Sequence, residues 1–263
     1  ARPVQAQAPS GGARFYLLGY NSVQLSLYIG VFLATIWSAI STRTVSNAYS
    51  FAAPLLRTAQ TLAYLETLHS LLKISNSSLP TAMIQVLGRN LVLFGVLAPC
   101  PPAYSSPFVF LTFLSWSLAE ITRYPLYLSK LFSPTTTTTN NSHENSTSLF
   151  SSIITMLRYN AFLLLYPSGI LGEIGIVLAC LPYIKEHSLF QLAFELDRDR
   201  VARALPALVS GTNGANGDVL RVIVFDFSIF CYCGLLSYVY FGPTMYIHMI
   251  KQRKKHYASS KTE

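Results

Sequence analysis

The stretch RYNAFLLLYPSGILGE, residues 158–173, is apolar enough to lie in a membrane, yet it contains an arginine, two tyrosines and a glutamate. An ionisable side chain inside a hydrocarbon layer is costly unless it faces a protein interior or a wet cavity. Such side chains therefore mark function more often than stability. The stretch predicts a membrane-spanning helix that carries a polar site.

The composition of the whole chain is typical of a membrane protein. Of its 263 residues, 51% are hydrophobic and 11% are charged, whereas about a quarter of the residues are charged in a typical soluble domain. At about 20 residues per span, the length accommodates six helices with short connections. The basic residues behind the formal charge of +8 are scattered and do not form a stripe, so nucleic-acid binding is not expected.

The predicted fold class is all-α: a polytopic membrane protein built as a bundle of six transmembrane helices, with its active site inside the bundle. Residues 1–14 are predicted to form a disordered tail, residues 15–250 the membrane domain and residues 251–263 a basic tail. The predicted spans lie near residues 15–40, 58–74, 81–98, 108–132, 153–182 and 222–250.

The charge pattern predicts the orientation of the chain in the membrane. Basic residues beside a span favour the cytosolic side, and the clearest basic run is KQRKKH at 251–256. Six spans then place both termini in the cytosol, together with the loops that hold the sequons at Asn76, Asn140 and Asn145. None of these asparagines is therefore expected to be glycosylated.

The longest connection between spans is residues 183–222. It mixes acidic, basic and apolar residues and ends in a glycine-rich turn at 211–217. This pattern predicts an amphipathic surface helix near Leu189–Leu205.

One face of the fifth predicted span carries the candidate site. Tyr159, Phe162, Tyr166, Gly169 and Glu173 recur at spacings of three and four, which places them on the same side of a helix. Tyr166 and Glu173 are two turns apart, about 10.5 Å along the axis, so their side chains can converge on a substrate, and Gly169 leaves space between them. The residues alone also allow a role in which both side chains only bond neighbouring helices.

Three arginines in or beside the predicted spans are candidates for substrate binding or support: Arg89, Arg123 and Arg158. They can balance the glutamates of the spans, or they can attract an anionic ligand such as a phosphate. The residues leave both roles open.

No metal site or other cofactor is predicted. Glu66 and His69 share a helical face, but two potential ligands without a third are thin evidence for a metal, and polar packing between helices is the favoured interpretation.

The motif YPSGILGE at 166–173, preceded by RYN at 158–160, resembles the signature of the very-long-chain 3-hydroxyacyl-CoA dehydratases, also called the protein tyrosine phosphatase-like A family. The resemblance extends through LETLHS at 65–70, QV at 85–86 and WSLAEITRY at 116–124, and it covers nearly every span. It implies a six-span protein of the endoplasmic reticulum membrane. The implied reaction is dehydration of long-chain and very-long-chain 3-hydroxyacyl-CoA to trans-2-enoyl-CoA, the third step of fatty acid elongation.

The resemblance also implies roles for individual residues and partners. Tyr166 and Glu173 stand at the matching catalytic positions. The implied partners are the acyl-CoA substrate, membrane lipid and the other membrane enzymes of the cycle, namely ketoacyl synthase, ketoacyl-CoA reductase and enoyl-CoA reductase. The supporting or substrate-binding positions are Arg89, Arg123, Arg158, Tyr159 and Gly169.

The implied reaction suits these residue types. A base must remove a proton from C2 of the substrate, and an acid must protonate the departing hydroxyl at C3. The sequence leaves open which of Tyr166 and Glu173 does which. It also leaves an alternative function open: a non-catalytic membrane scaffold that binds elongase partners or lipids through the same polar interior.

Overall fold

The computed structural model of the protein describes residues 11–72, 74, 79–132, 144–197 and 219–259. These described residues contain six long helices and one antiparallel pair of strands, β1 (Leu192–Asp197) and β2 (Val219–Phe225). The predicted all-α architecture is confirmed. The helices are α1 (Gly11–Thr42), α2 (Ala48–Leu71), α3 (Leu79–Asn90), α4 (Pro107–Phe132), α5 (Glu144–Glu186) and α6 (Phe227–Ser259).

The two ends of the chain are more helical than the sequence suggested. Residues 1–10 of the predicted disordered tail lie outside the described residues, but residues 11–14 already belong to α1. At the other end, α6 continues through the basic run and ends at Ser259. The basic run at 251–256 therefore belongs to the last helix.

Proline and an aspartate cap set two of the helix boundaries. After α3 the chain continues as a π-helical segment, Leu91–Leu97, and it leaves the helix at PCPP, residues 99–102, because proline has no backbone N–H to donate. Helix α6 begins after Asp226, whose Oδ1 accepts a hydrogen bond of 2.8 Å from the backbone N–H of Ser228. This is the role of an N-cap residue.

The connection between α5 and α6 corrects the sequence-based prediction. Leu192–Asp197 pairs antiparallel with Val219–Phe225, so the amphipathic helix predicted near Leu189–Leu205 is wrong in the part that the structure describes. The segment LAFELD alternates larger apolar residues with small or acidic ones, which is the period of two of a strand. Since β2 occupies residues up to 225, α6 begins at Phe227 and not near 222. Residues 198–218 lie outside the described part of the chain.

Helix α5 lies at the centre of the contacts that form the candidate site. It packs along α4 and also against α6, while α1 packs against α2 and α4. The approach of α5 to α4 is close at Gly172, where an added Cβ would overlap Oγ1 of Thr112 and lie 3.0 Å from the backbone nitrogen of that residue. Glycine at this position lets the next residue of α5, Glu173, reach α4.

Within the described residues, two helical segments are both long and apolar enough to cross a membrane: α1 and Asn160–Glu186 of α5. The crossing of the membrane by six helices stays a prediction. Helices α2 and α4 contain charged residues that contact each other, including Glu66 and Arg123. These residues lower the mean hydropathy of both helices.

Candidate active site

The carboxylate of Glu173 joins three helices. Trp116 of α4 donates its indole N–H to Oε1 at 2.8 Å, and Tyr238 of α6 donates its hydroxyl to Oε2. Among the side chains that the structure describes, Glu173 takes part in no ion pair. An ionised carboxylate accepts about four hydrogen bonds, so about two acceptor positions stay available to a ligand.

Tyr166 lies against α6 on the same side of α5. It donates its hydroxyl to the carbonyl oxygen of Gly242 at 3.3 Å, and its ring stacks on Tyr246 with the centroids 5.9 Å apart and an interplanar angle of 13°. Tyr246 in turn donates to the carbonyl oxygen of Leu163 at 3.2 Å. The bond from Tyr166 is longer than the usual O–H···O distance of about 2.7 to 2.8 Å, so its hydroxyl is weakly held.

Gly169 lies between these two side chains on α5 and is itself buried. An added Cβ at Gly169 would have only the Cβ of Ser115 within 4 Å, at an ordinary contact distance of 3.8 Å. Tyr166 and Glu173 share no hydrogen bond in the described structure; each is bonded to α6 instead. The arrangement therefore places a hydroxyl and a carboxylate on either side of a position that has no side chain and that would accept a Cβ without overlap.

A second polar cluster, the arginine–glutamate network, joins α2, α3 and α4 inside the bundle. Glu120 is 1% exposed and pairs with Arg89 and, through a 2.6 Å contact to Nε, with Arg123. Arg123 also contacts Oε1 of Glu66 at 2.8 Å, and the hydroxyl of Tyr124 donates to the same oxygen. The positive charges of two guanidinium groups balance the negative charges of two carboxylates in this network.

Of the two roles left open for the arginines, the geometry places Arg89 and Arg123 in charge balance with buried acids. Arg89 also lies over the ring of Trp116, 5.4 Å from its centroid. The network therefore adjoins the residue that donates to Glu173. The side chains of Arg158 and Tyr159 lie outside those that the structure describes.

His69 has partners of its own. Its Nε2 lies 2.9 Å from the hydroxyl of Tyr16, and the rings of Tyr16 and Tyr20 meet it edge-on at centroid distances of 5.3 and 4.9 Å. In the described residues, no group of three or more His, Cys, Asp or Glu side chains is placed to hold a metal ion. Glu66 and His69 therefore have different partners: Glu66 contacts Arg123 and Tyr124, and His69 contacts Tyr16.

A surface groove unrelated to these residues lies between α1 and α2. It is lined by Ser22, Val23, Ser26, Leu27 and Leu55. It contains none of the candidate side chains, so its shape says nothing about their chemistry.

The sequence interpretation missed the two donors to Glu173. Trp116 lies within a motif that carried the family resemblance, but nothing in that motif indicated its partner. Tyr238 is one of several tyrosines of α6, and nothing in its sequence context distinguishes it from Tyr232 or Tyr240. Only the packing of α6 on α5 selects it.

Comparison with known proteins adds an independent finding. The chain matches the family model described as "Protein tyrosine phosphatase-like protein, PTPLA" over residues 60–259. This range includes the arginine–glutamate network and all the candidate residues of α5 and α6.

Curated relatives are similar over nearly the full chain. Very-long-chain (3R)-3-hydroxyacyl-CoA dehydratase 1 of Canis lupus familiaris is 27% identical over 243 residues, which cover 92% of this chain and 82% of the relative. Very-long-chain (3R)-3-hydroxyacyl-CoA dehydratase PASTICCINO 2 of Arabidopsis thaliana is 28% identical over 250 residues, 95% of this chain and 96% of the relative. Dehydratase 2 of Mus musculus is 26% identical over 249 residues, with coverages of 95% and 83%. No solved structure matches the chain.

Proposed function

The chain belongs to the protein tyrosine phosphatase-like (PTPLA) family, and we propose that it is a membrane-embedded hydro-lyase. It converts long-chain and very-long-chain (3R)-3-hydroxyacyl-CoA into trans-2-enoyl-CoA. This reaction is the third step of the fatty acid elongation cycle. The three curated relatives named above are (3R)-3-hydroxyacyl-CoA dehydratases, and this supports the reaction. The observation that carries the proposal is the pair of neutral donors on Glu173, with Tyr166 two turns away on the same face of α5.

Glu173 is the general base. Both of its oxygens accept hydrogen bonds, from Trp116 and Tyr238, and these bonds hold the carboxylate in place. Its remaining lone pairs can take the proton from C2, and no arginine among the described side chains competes for them.

Tyr166 is the general acid. It already donates its proton in a long hydrogen bond to the Gly242 carbonyl oxygen, and a substrate hydroxyl can replace that acceptor. When Glu173 takes the C2 proton, the electron pair of that C–H bond forms the C2–C3 double bond. The C3–O bond breaks, and the hydroxyl leaves as water with the proton of Tyr166. Transfer of the proton from Glu173 back to Tyr166 restores both groups.

The arginine–glutamate network supports this site without taking part in proton transfer. Arg89 packs over Trp116 and so helps to hold the donor to Glu173, while Arg123 fixes α4 against α2 through Glu66. Gly169 provides the space for the reacting carbons. Arg158 and Tyr159 precede Tyr166 by about two turns in the sequence of α5, and we assign them to binding of the acyl-CoA head group.

The membrane supplies the environment that this substrate needs. All six helices span the endoplasmic reticulum membrane with both termini in the cytosol, so the acyl chain lies in lipid and the CoA head lies near the basic end of α6. There Arg253 donates to Oδ1 of Asn160 at 2.7 Å and so joins α6 to α5. The other elongation enzymes supply the substrate and take the product.

A glycosylation assay in microsomes tests the proposed orientation. The three natural sequons should stay unmodified, whereas a sequon inserted between β1 and β2 should gain a glycan. The reverse pattern would show that the chain has the opposite orientation in the membrane.

A dehydration assay tests the proposed reaction. Purified protein in lipid vesicles is given (3R)- or (3S)-3-hydroxyacyl-CoA with a long acyl chain, and trans-2-enoyl-CoA is measured. The proposal expects turnover of the (3R) enantiomer. Saturable binding without turnover would favour the alternative, a scaffold that binds acyl-CoA or elongation enzymes.

A further inference from the structure

One face of α6 contacts both residues of the proposed proton transfer. Tyr238, Gly242 and Tyr246 recur every four residues, so they lie above one another on the same side of the helix. Tyr238 donates to Glu173, Gly242 accepts from Tyr166, and Tyr246 stacks on Tyr166. Helix α6 thus touches the base and the acid at successive turns of one surface.

The contact from Tyr238 restricts a side chain that is otherwise flexible. A glutamate has three rotatable side-chain bonds, and fixing such a side chain costs conformational entropy. Trp116 fixes one oxygen from α4, and Tyr238 fixes the other from α6. Two donors on two different helices define both the position and the plane of the carboxylate, which a single donor cannot do.

Tyr238 is also distinct from the tyrosines around it. It is half-buried, whereas Tyr240 is 70% exposed and its ring packs against Phe241. A hydroxyl that only served packing would not need to meet the one carboxylate of the described bundle interior that takes part in no ion pair. The position of Tyr238 fits a function in the reaction.

We infer that Tyr238 is a positioning residue for the dehydration, which aims the carboxylate of Glu173 at C2 of the substrate and does not itself touch the reacting atoms. This inference rests on the proposed function. It predicts a loss in the chemical step when the hydroxyl is removed, because hydrogen bonds to charged groups contribute enough to change a rate about 10- to 100-fold. Substrate binding is predicted to stay almost unchanged, because the acyl chain and the CoA head contact other parts of the protein.

The test compares Tyr238→Phe with Tyr240→Phe in the full chain in lipid vesicles. Both changes remove one hydroxyl from α6 and keep the ring, and Tyr240 lies outside the site. The measurements are kcat and KM for (3R)-3-hydroxyacyl-CoA and the number of product-binding sites per protein, titrated with trans-2-enoyl-CoA. Dividing kcat by that number removes any contribution from unfolded protein.

The expected result for Tyr238→Phe is a kcat per binding site about 10- to 100-fold below wild type, with KM within about twofold, while Tyr240→Phe matches wild type. Three results would overturn the inference: a kcat per site equal to that of Tyr240→Phe, a loss confined to the number of sites, or a rise of KM at constant kcat. Absence of turnover in the wild type would instead overturn the proposed function, so the two failures are distinguishable.

Discussion

Glu120 and Glu173 are two acids inside the same bundle, and their partners differ in kind. Glu120 lies between two arginines, Arg89 and Arg123, and is almost fully buried. Glu173 is only partly buried, and its two oxygens accept from an indole N–H and a phenol hydroxyl. One acid is paired with two cations, and the other is bonded to two neutral donors.

This difference separates a structural acid from a chemical one. A buried carboxylate paired with guanidinium groups holds helices together, and removing one partner leaves an uncompensated charge. A carboxylate with neutral donors is oriented and keeps part of its acceptor capacity for a substrate. The chemistry of the partners therefore distinguishes the two acids.

The largest expected effect is the loss of activity in Tyr166→Phe. Removing the proposed general acid should lower kcat by about 10² to 10⁴-fold, while folding changes little, because the hydroxyl makes only a 3.3 Å bond to Gly242 and the stacked ring stays. The dehydration assay and a thermal unfolding midpoint measure both quantities. Tyr64→Phe, at an exposed tyrosine of α2, is the matched control. Equal rates in the two variants would remove Tyr166 from the mechanism.

Glu120→Gln should be next, and its effect should appear in stability. With the charge of Glu120 removed, two guanidinium groups share only Glu66, and the unpaired buried charge should cost about 3–5 kcal/mol of unfolding free energy. Reversible unfolding in mixed detergent micelles measures this. Glu186→Gln, at the exposed end of α5, should change the unfolding free energy by less than about 0.5 kcal/mol. A Glu120→Gln variant as stable as this control would refute the structural role of the network.

The smallest expected effects come from alanine substitutions at two glycines of α5, Gly172 and Gly169. Gly172→Ala should lower the unfolding free energy by about 1–3 kcal/mol, because the added Cβ overlaps Thr112. Gly169→Ala meets only Ser115 at 3.8 Å and should leave stability intact but reduce kcat/KM by narrowing the space for substrate. Unfolding and dehydration assays on both variants provide the check. If Gly169→Ala keeps full kcat/KM, the reacting carbons do not lie over Gly169.

Periodicity and composition predicted the parts of the molecule that depend on local sequence. The apolar segments predicted six helices, and the spacing of three and four predicted that Tyr166, Gly169 and Glu173 share a face of α5. The exit from the third helix at residues 99–102 follows from the chemistry of proline alone. Each of these features is encoded within a few turns of chain.

The features that the sequence could not predict depend on long-range packing. The hairpin of β1 and β2 needs pairing across 21 undescribed residues, 198–218, and a single amphipathic segment does not reveal its partner. The donors to Glu173 come from Trp116 and Tyr238, 57 and 65 positions away. Which tyrosine of α6 faces α5 depends on the rotation of that helix, and an all-round apolar helix does not encode its rotation.

If Glu173 performs chemistry and Glu120 holds the fold, a paired comparison of Glu173→Gln with Glu120→Gln separates the two roles. For each variant, kcat per product-binding site and the unfolding free energy are measured on the same preparation. Glu173→Gln is expected to lose about 10² to 10⁴-fold in kcat per site at nearly wild-type stability. Glu120→Gln is expected to lose stability and to keep most of its kcat per site. A Glu173→Gln protein that turns over like wild type would rule out a chemical role for this carboxylate.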